Sequence, residues 1–284
     1  MNPRLSIIIV NYNGRGHLEG CLASLAAHPP KAPHEIVVVD NASTDDSAAI
    51  AARAPGVRLI ELSENVGFSA GNNAGIRAST GELILLLNSD TLIGPEAPNP
   101  LDVLVGRLDA HPSAAVAGPR LIDAAGNPEL SFGPMISPFA ELRQKTIVAL
   151  HARGFAPVSR WVERVTRSER FVDWVSGACL LVRRGVAEQA GLLDERFFLY
   201  TEDVDFCASV RAAGWQVLFT PQSVVVHLRG RSRASAPRAV HAAYRRSQLA
   251  FYAKHHPRYL PLLRAYLKLR NELPPGRIDK IRST

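Results

Sequence analysis

Short apolar runs that each break off into a cluster of Asn, Asp, Ser or Gly recur along the first 92 residues, and no other feature restricts the fold as strongly. Residues 5–10 and 35–40 are β-rich and apolar, and they end in NYNG (11–14) and DNASTDDS (40–47). Runs of this length bounded by turn formers read as strands. Between them, residues 17–27 carry Leu18, Cys21, Leu22 and Leu25 at helical spacing, and Ser43 with the acids after it predicts the N-cap of a second helix ending at Arg53. Residues 57–62 read as a third strand and 69–79 as a helix of small residues. Residues 82–87 read as a fourth strand, apolar throughout as a strand covered on both faces must be. Strand and helix in alternation predict a parallel α/β sheet.

Beyond residue 92 the pattern loosens. Residues 100–110 read as a helix, 114–122 as a strand and DAAGN (123–127) as a turn. Residues 134–170 mix prolines with basic and apolar residues at no clear period and predict a mobile or partner-facing segment. Residues 174–182 read as a strand, 185–190 and 204–213 as helices, and 216–220 with 223–227 as closing strands. From Arg238 to about Leu269 the chain reads as mainly helical. The expected organisation is a nucleotide-binding-type half over 1–92, a less regular half of the same domain over 93–232, and a basic helical C-terminal extension over 233–284.

The composition, 46% hydrophobic and 21% charged over 284 residues, excludes disorder and leaves ample chain to bury a core. The net charge of +7 is unevenly placed. Residues 227–284 hold 14 Lys/Arg against 2 Asp/Glu, whereas residues 1–226 hold 19 against 24. The basic tail suits phosphates, anionic lipid head groups or simple solvation. Three cysteines without CxxC spacing, Cys21, Cys179 and Cys207, read as buried thiols in a reducing compartment. The opening MNPRLSIIIV is too short for a signal h-region with its cleavage site. No stretch reaches the ~18 apolar residues of a membrane span. A cytoplasmic protein, peripheral at the inner membrane face, is the expectation.

In a doubly wound sheet, ligands sit outside the carboxyl ends of the strands. That is where Asn11, Tyr12, Asn13, Asp40, Asn41, Asn65, Gly67, Asn88 and Asp90 fall. The Asn, Asp and Gly residues among them are also ordinary turn formers; the convergence on four strand ends is the signal. Asp40 can accept from ribose hydroxyls or a base imide, and Tyr12 offers an aromatic face. Neither GxGxxG nor GxxxxGK[ST] occurs, so the usual phosphate cradles are excluded, and a divalent cation held by Asp90 is the alternative. The acids of TEDVD (201–205) suit a helix N-terminus, but the apolar flank FFLY (197–200) also suits a carboxylate with a raised pKa serving as general base. His227, at a strand end beside basic residues, can ligate metal or touch phosphate.

SIIIVNYNG (6–14), EIVVVDNASTDDS (35–47), ENVGFSAGNNAGI (64–76), LLLNSD (85–90), DWVSGACLLVRR (173–184) and FFLYTEDVDFC (197–207) together resemble the family-2 glycosyltransferases, most closely their rhamnosyltransferase-like members, over about residues 5–232. The resemblance implies a glycosyltransferase-A fold: a Rossmann-like, mixed, mainly parallel sheet with flanking helices, followed here by a C-terminal helical extension. It implies a nucleotide-diphosphate sugar donor, rhamnose-like by preference, a glycan or lipid-linked glycan acceptor, Mg²⁺ or Mn²⁺, and inversion in a single displacement. On this basis Asn11, Tyr12, Asn13, Asp40 and Asn41 hold the nucleoside, with Asn65, Gly67 and Asn72 nearby. Asn88 stands at the first position of the DxD-type motif that Asp90 ends. Asp90 and His227, the latter in the pattern His-x-x-Gly-x-Ser with Gly230 and Ser232, serve the metal. Glu202 and Asp203 match the Glu-Asp motif, with Asp203 the general base. Trp174, Ser176, Gly177 and Ala178 line the acceptor and donor-sugar side.

Two other classes compete. A nucleotide-sugar pyrophosphorylase needs a glycine-rich basic loop near the first strand, which NYNGRGH matches poorly. A non-enzymatic nucleotide or nucleic-acid binder would explain the tail, but the acidic front half opposes a broad phosphate footprint, so no nucleic acid is expected. An anionic membrane surface is the remaining partner for the tail, whose Leu249, Tyr252, Tyr259, Leu263, Tyr266 and Leu267 alternate with Arg245, Arg246, Lys254, Arg264, Lys268 and Arg270 as in an interfacial helix.

Overall fold

Strand β1 (Leu5–Asn11) is buried along its whole length, and its side chains divide with period two. Leu5, Ile7 and Ile9 join one apolar cluster; Ile8 and Val10 join another. β4 (Leu83–Leu87) divides in the same way, with Leu83, Leu85 and Leu87 on the first face and Ile84 and Leu86 on the second. The first face is covered by α1 (Arg15–Ala27), through Leu18, Cys21, Leu22 and Leu25, and by α4 (Pro100–Asp109), through Leu101, Leu104 and Leu108. α2 (Ser47–Arg53) adds Ala51. The second face receives α3 (Phe68–Ala78), α7 (Arg184–Gln189) and α8 (Glu202–Ala212) through Ile76, Val186, Phe206 and Val210.

The computed structural model describes residues 2–228 and 237–274. The other main-sheet strands are β2 (His34–Asp40), β3 (Val57–Glu61), β5 (Thr91–Leu92), β6 (Ala114–Ile122), β8 (Arg170–Val172), β10 (Cys179–Arg183) and β11 (Gln216–His227). They run in the order β3-β2-β1-β4-β10-β6-β11-β5, with β8 also on β11. β3, β2, β1 and β4 are mutually parallel, and β10 runs antiparallel between β4 and β6. The sheet is therefore mixed, with a parallel front half. The chain winds outward from β1 to β3 and returns as β4 on the other side of β1, so the order reverses there and a crevice opens at the carboxyl ends.

Several expectations need correction. Ser43 does not cap α2, which starts at Ser47; the Ser43 hydroxyl instead accepts the Asn13 N–H at 2.9 Å, so the loops after β1 and β2 bind each other. Residues 174–182 are not one strand. β9 (Trp174–Val175) pairs with β7 (Phe132–Gly133) in a separate ribbon, and the chain turns at 176–178 before β10. Residues 216–227 form a single strand whose register on β6 shifts between Thr220 and Val224. Residues 134–170 contain α5 (Pro138–Ala152) and α6 (Ala156–Val165). α5 buries no residue and so needs no apolar stripe, whereas α6 carries Val158, Trp161, Val162 and Val165 at i, i+3, i+4 and i+7, a helical period that the mixed composition of the segment obscured.

The C-terminal segment forms α9 (Pro237–His255), one 3₁₀ turn (Pro257–Tyr259) and α10 (Leu260–Leu269). Leu249, Tyr252 and Leu267 are buried, and Phe251 and Tyr252 pack with Phe197 and Val204. Arg245 is buried on Gln248 and Glu272, and Lys254 binds Asp194 and Asp205. Leu249, Tyr252, Leu267, Arg245 and Lys254 thus serve the interior of the protein and not an interface. Among the described residues no helix is long and apolar enough to cross a membrane.

Candidate active site

Parallel pairing in register sets Asn11 beside Asp40, so the two strand ends open into the same crevice. Asn11 Oδ1 and Asp40 Oδ1 are both buried without a hydrogen-bond partner among the described residues. Buried acceptors are normally satisfied, and two of them at a strand-end crevice mark a place for a donor-rich ligand. Asp40 Oδ2 accepts the Ser43 N–H at 2.9 Å, which aims the free oxygen. Asn13 has left-handed backbone (φ 50°), and its side-chain oxygen accepts from Thr44, so it shapes the loop. Tyr12 beside it is 52% exposed and leaves its ring face open for stacking.

Asn41 spends its amide on the chain itself. Its Nδ2 donates to Asn65 Oδ1 and the Gly67 carbonyl, and its Oδ1 accepts the Val66 N–H at 2.9 Å. This fixes the 65–67 loop. Gly67 has φ +88° and lies so close to the Phe198 carbonyl that a Cβ would stand 2.6 Å from it, a double requirement for glycine. The following N–H, of Phe68, donates to that carbonyl at 2.7 Å. Asn72 Nδ2 bonds the Phe68 carbonyl, while Oδ1 is buried and unpartnered among the described residues.

The loop at 176–178 bridges the two carboxylate sites. Asn88 N–H donates to the Ala178 carbonyl, and Gly177 N–H donates to Asp203 Oδ2, both at 2.9 Å. A Cβ on Gly177 would stand 3.3 Å from that of Asp203. Ser176 is held by the Ser131 carbonyl at 2.8 Å, and Trp174 Nε1 donates to the Pro134 carbonyl at 2.9 Å. Tyr200 and Thr201, both left-handed non-glycine residues (φ 70° and 73°), turn the chain into α8 and deliver Glu202 and Asp203 to its first turn. Burial pushes the Glu202 carboxyl well above the usual range and the charge of Asp203 adds to this. Burial also raises Asp203, though the Gly177 and Val204 N–H groups partly oppose it. Of the pair, Asp203 accepts from the backbone N–H groups of two residues, Gly177 and Val204.

At the other end of the bridge, β5 pairs with β11 and sets His227 opposite Thr91. His227 Nε2 lies 3.3 Å from Asp90 Oδ1, and Nδ1 lies 3.2 Å from Glu129 Oε2. Burial works against the imidazolium, but the hydrogen bonds and charges of Asp90 and Glu129 outweigh it and raise His227 to about 9. Burial would raise Asp90, and the bond and charge of His227 overcome that and hold it below the usual range. Asn88 Oδ1 is buried and unpartnered among the described residues. Among them no three His, Cys, Asp or Glu side chains converge on one metal position. One carboxylate and one imidazole nevertheless fit a Mg²⁺ or Mn²⁺ ion that takes its other ligands from phosphate and water. Gly230 and Ser232 lie outside the described residues.

Glu129 and the partners of Asp205 escaped the sequence reading. Glu129 follows a turn in an irregular stretch, 98 residues from His227, with no local signal. Asp205 was visible among the acids of α8, but its partners, Lys254 Nζ at 2.8 Å and His255 Nε2 at 2.6 Å, come from the tail.

A mixed sheet with its crevice at the reversal between β1 and β4, one carboxylate site after β4 and another at the start of α8, defines a glycosyltransferase of the GT-A type. The comparisons with known proteins agree. The model of the family described as "Glycosyl transferase family 2" matches residues 6–161, and the chain belongs to that family. It is 32% identical to an N-acetylglucosaminyl-diphospho-decaprenol L-rhamnosyltransferase of Mycobacterium tuberculosis, over 99% of this chain and 98% of that one. It is 30% identical to a low-salt glycan biosynthesis hexosyltransferase of Haloferax volcanii, over 73% of this chain and 61% of the other. The fold is shared with a solved mannosyltransferase from Pyrobaculum calidifontis in complex with GDP-Man and Mn²⁺, at a TM-score of 0.61 and 20% identity, covering 95% of this chain and 70% of that one.

Proposed function

We propose that the protein is a metal-dependent inverting transferase that moves a rhamnose-like sugar from a nucleoside diphosphate to a hydroxyl of a lipid-linked glycan. The observation that carries this reading is the bridge at 176–178, which ties a diphosphate-side residue, Asn88, to a base-side residue, Asp203, through two adjacent residues, Ala178 and Gly177. The M. tuberculosis relative, named for rhamnosyl transfer to a decaprenyl-diphosphate-linked acceptor, supports the choice of sugar and acceptor.

Tyr12 stacks on the base, and Asn11 and Asp40 accept from ribose or base donors with the oxygens they leave free. Asp90 and His227 would hold a Mg²⁺ or Mn²⁺ ion, which would supply positive charge on the diphosphate side. To hold that ion, His227 would have to present an unprotonated Nε2. Trp174, Ser176, Gly177 and Ala178 wall the sugar. Asp203 takes the proton of the acceptor hydroxyl as its oxygen bonds to the anomeric carbon. The bond from that carbon to the phosphate oxygen breaks on the opposite face, and the nucleoside diphosphate leaves with the electron pair. Glu202, whose carboxyl burial pushes well above the usual range, offers its otherwise unpartnered Oε2 to a sugar hydroxyl.

The enzyme works on the cytoplasmic face of a membrane. Phe139 and Leu142 of α5, and Leu262, Tyr266 and Leu269 of α10, are exposed apolar residues. The N-terminus of α5 meets the turn before α10 where His256 Nε2 donates to the Ile136 carbonyl at 2.6 Å, and Ile136, Leu260 and Leu263 pack on one cluster. That surface, with Arg258, Arg264 and Lys268 around it, suits an anionic bilayer.

The test is release of nucleoside diphosphate and transfer of label from UDP-, GDP- and dTDP-linked sugars to a GlcNAc-diphospho-polyprenol, with Mn²⁺ or with EDTA. Transfer of rhamnose with inverted anomeric configuration, lost in EDTA, is the expected result. Transfer of no sugar, or undiminished transfer in EDTA, overturns the reading or its metal requirement respectively.

A further inference from the structure

Glu129 is nearly inaccessible, with its side chain 5% exposed, and it meets His227 on the ring nitrogen opposite the one that faces Asp90. Its backbone is fixed at both groups: Glu129 N–H donates to the Leu121 carbonyl at 2.9 Å, and the Ser131 N–H donates to the Glu129 carbonyl at 3.0 Å. A bridge between Ile122 and Pro128 closes the loop just before it. Leu121 and Ile122 end β6, the parallel neighbour of β11, and Ile122 pairs with Val226, the residue before His227. The carboxylate is thus tied by main-chain bonds to the end of β6, and the imidazole stands at the end of the adjacent strand β11.

Imidazoles that ligate metals characteristically donate their second N–H to a buried carboxylate, which fixes ring orientation and tautomer and makes the ligating nitrogen more basic. We infer that Glu129 is a positioning residue for the cation: it keeps the Nδ1 proton of His227 and leaves Nε2, beside Asp90, as the nitrogen that ligates. This rests on the metal reading above. A carboxylate retained only to satisfy a buried polar loop would not alter cation affinity once the loop is folded.

The experiment measures the Mn²⁺ concentration that gives half of the melting-temperature rise produced by a fixed concentration of UDP, GDP or dTDP, whichever stabilises the wild type most. Glu129→Leu should raise that concentration about 10- to 100-fold. Glu129→Gln, whose amide oxygen still accepts from Nδ1, should raise it less. Both variants should keep the wild-type response to the corresponding nucleoside without metal. A wild-type half-point in Glu129→Leu, alongside a raised one in Asp90→Ala and His227→Ala, overturns this inference alone. Unchanged half-points in Asp90→Ala and His227→Ala overturn the metal reading and this inference with it. Should Glu129→Leu fail to fold, Glu129→Gln decides: a rise of about threefold or more supports the role, and a wild-type value overturns it.

Discussion

Asp205, buried in the first turn of α8, accepts from His255 Nε2 at 2.6 Å, from the far end of the chain. Lys254 completes the contact at 2.8 Å and also reaches Asp194 at 3.0 Å. The C-terminal helix is thereby fastened two residues from Asp203, and Asp205 is committed to this joint and not to the reacting hydroxyl.

Replacing Asp205 with Ala should strip Lys254 and His255 of their buried partner. Losing one side of such a pair costs about 3 kcal/mol. The expected result is a lowered urea midpoint, measured by circular dichroism, and a fall in turnover larger than any loss of nucleotide binding, because the N-terminus of α8 loses its brace.

Asp203→Asn retains the size of the side chain but cannot take a proton. Turnover should fall by roughly 10²-fold or more with nucleotide binding unchanged. Burial raises this carboxyl, so the acid limb of the wild-type kcat/KM profile should lie above the ordinary Asp range and disappear in the variant. A variant with wild-type turnover would transfer the role of base to Glu202.

Glu202 supplies a pH dependence of stability. A carboxyl with a higher pKa in the folded than in the unfolded chain keeps a proton that unfolding would release, so its contribution is complete below the unfolded value and is lost as pH rises through the folded one. Stability should therefore decline from about pH 4.3 upward, the unfolded Glu value. Glu202→Gln should flatten that decline and raise the melting temperature at neutral pH by roughly 2 °C or more, the rise that ~1 kcal/mol produces in a chain of this size. Parallel melting curves of the two proteins across the pH range would remove Glu202 as the cause.

The exposed apolar surface of α5 and α10 should bind vesicles containing phosphatidylglycerol and release them in raised salt, since each basic residue near such a surface contributes about 1 kcal/mol and is screened within a Debye length. Phe139, Leu142, Leu262 and Leu269 changed together to Ser should abolish sedimentation with the vesicles and leave transfer to a water-soluble acceptor intact. Equal sedimentation with neutral and anionic vesicles would remove the electrostatic part of the account.

Local chemistry was enough to determine the front half of the molecule. β1, β2, β4 and α1 could be read from apolar period and turn residues because each is buried by a face that its own sequence displays. The polar ends of these strands were legible for the same reason: parallel pairing in register makes a strand end a site. Helix α5 was not legible, because it buries nothing and its sequence carries no period to read. The division of 174–182 into two strands of different sheets was hidden too, since the small residues of the turn at 176–178 interrupt the run too weakly to mark a break. Only the tertiary structure could bring Glu129 to His227 across 98 residues, or Asp205 to His255 across 50. Those pairings depend on which strands and helices become neighbours, and a buried carboxylate chooses its partner by distance in the folded chain and leaves no trace in its own sequence neighbourhood.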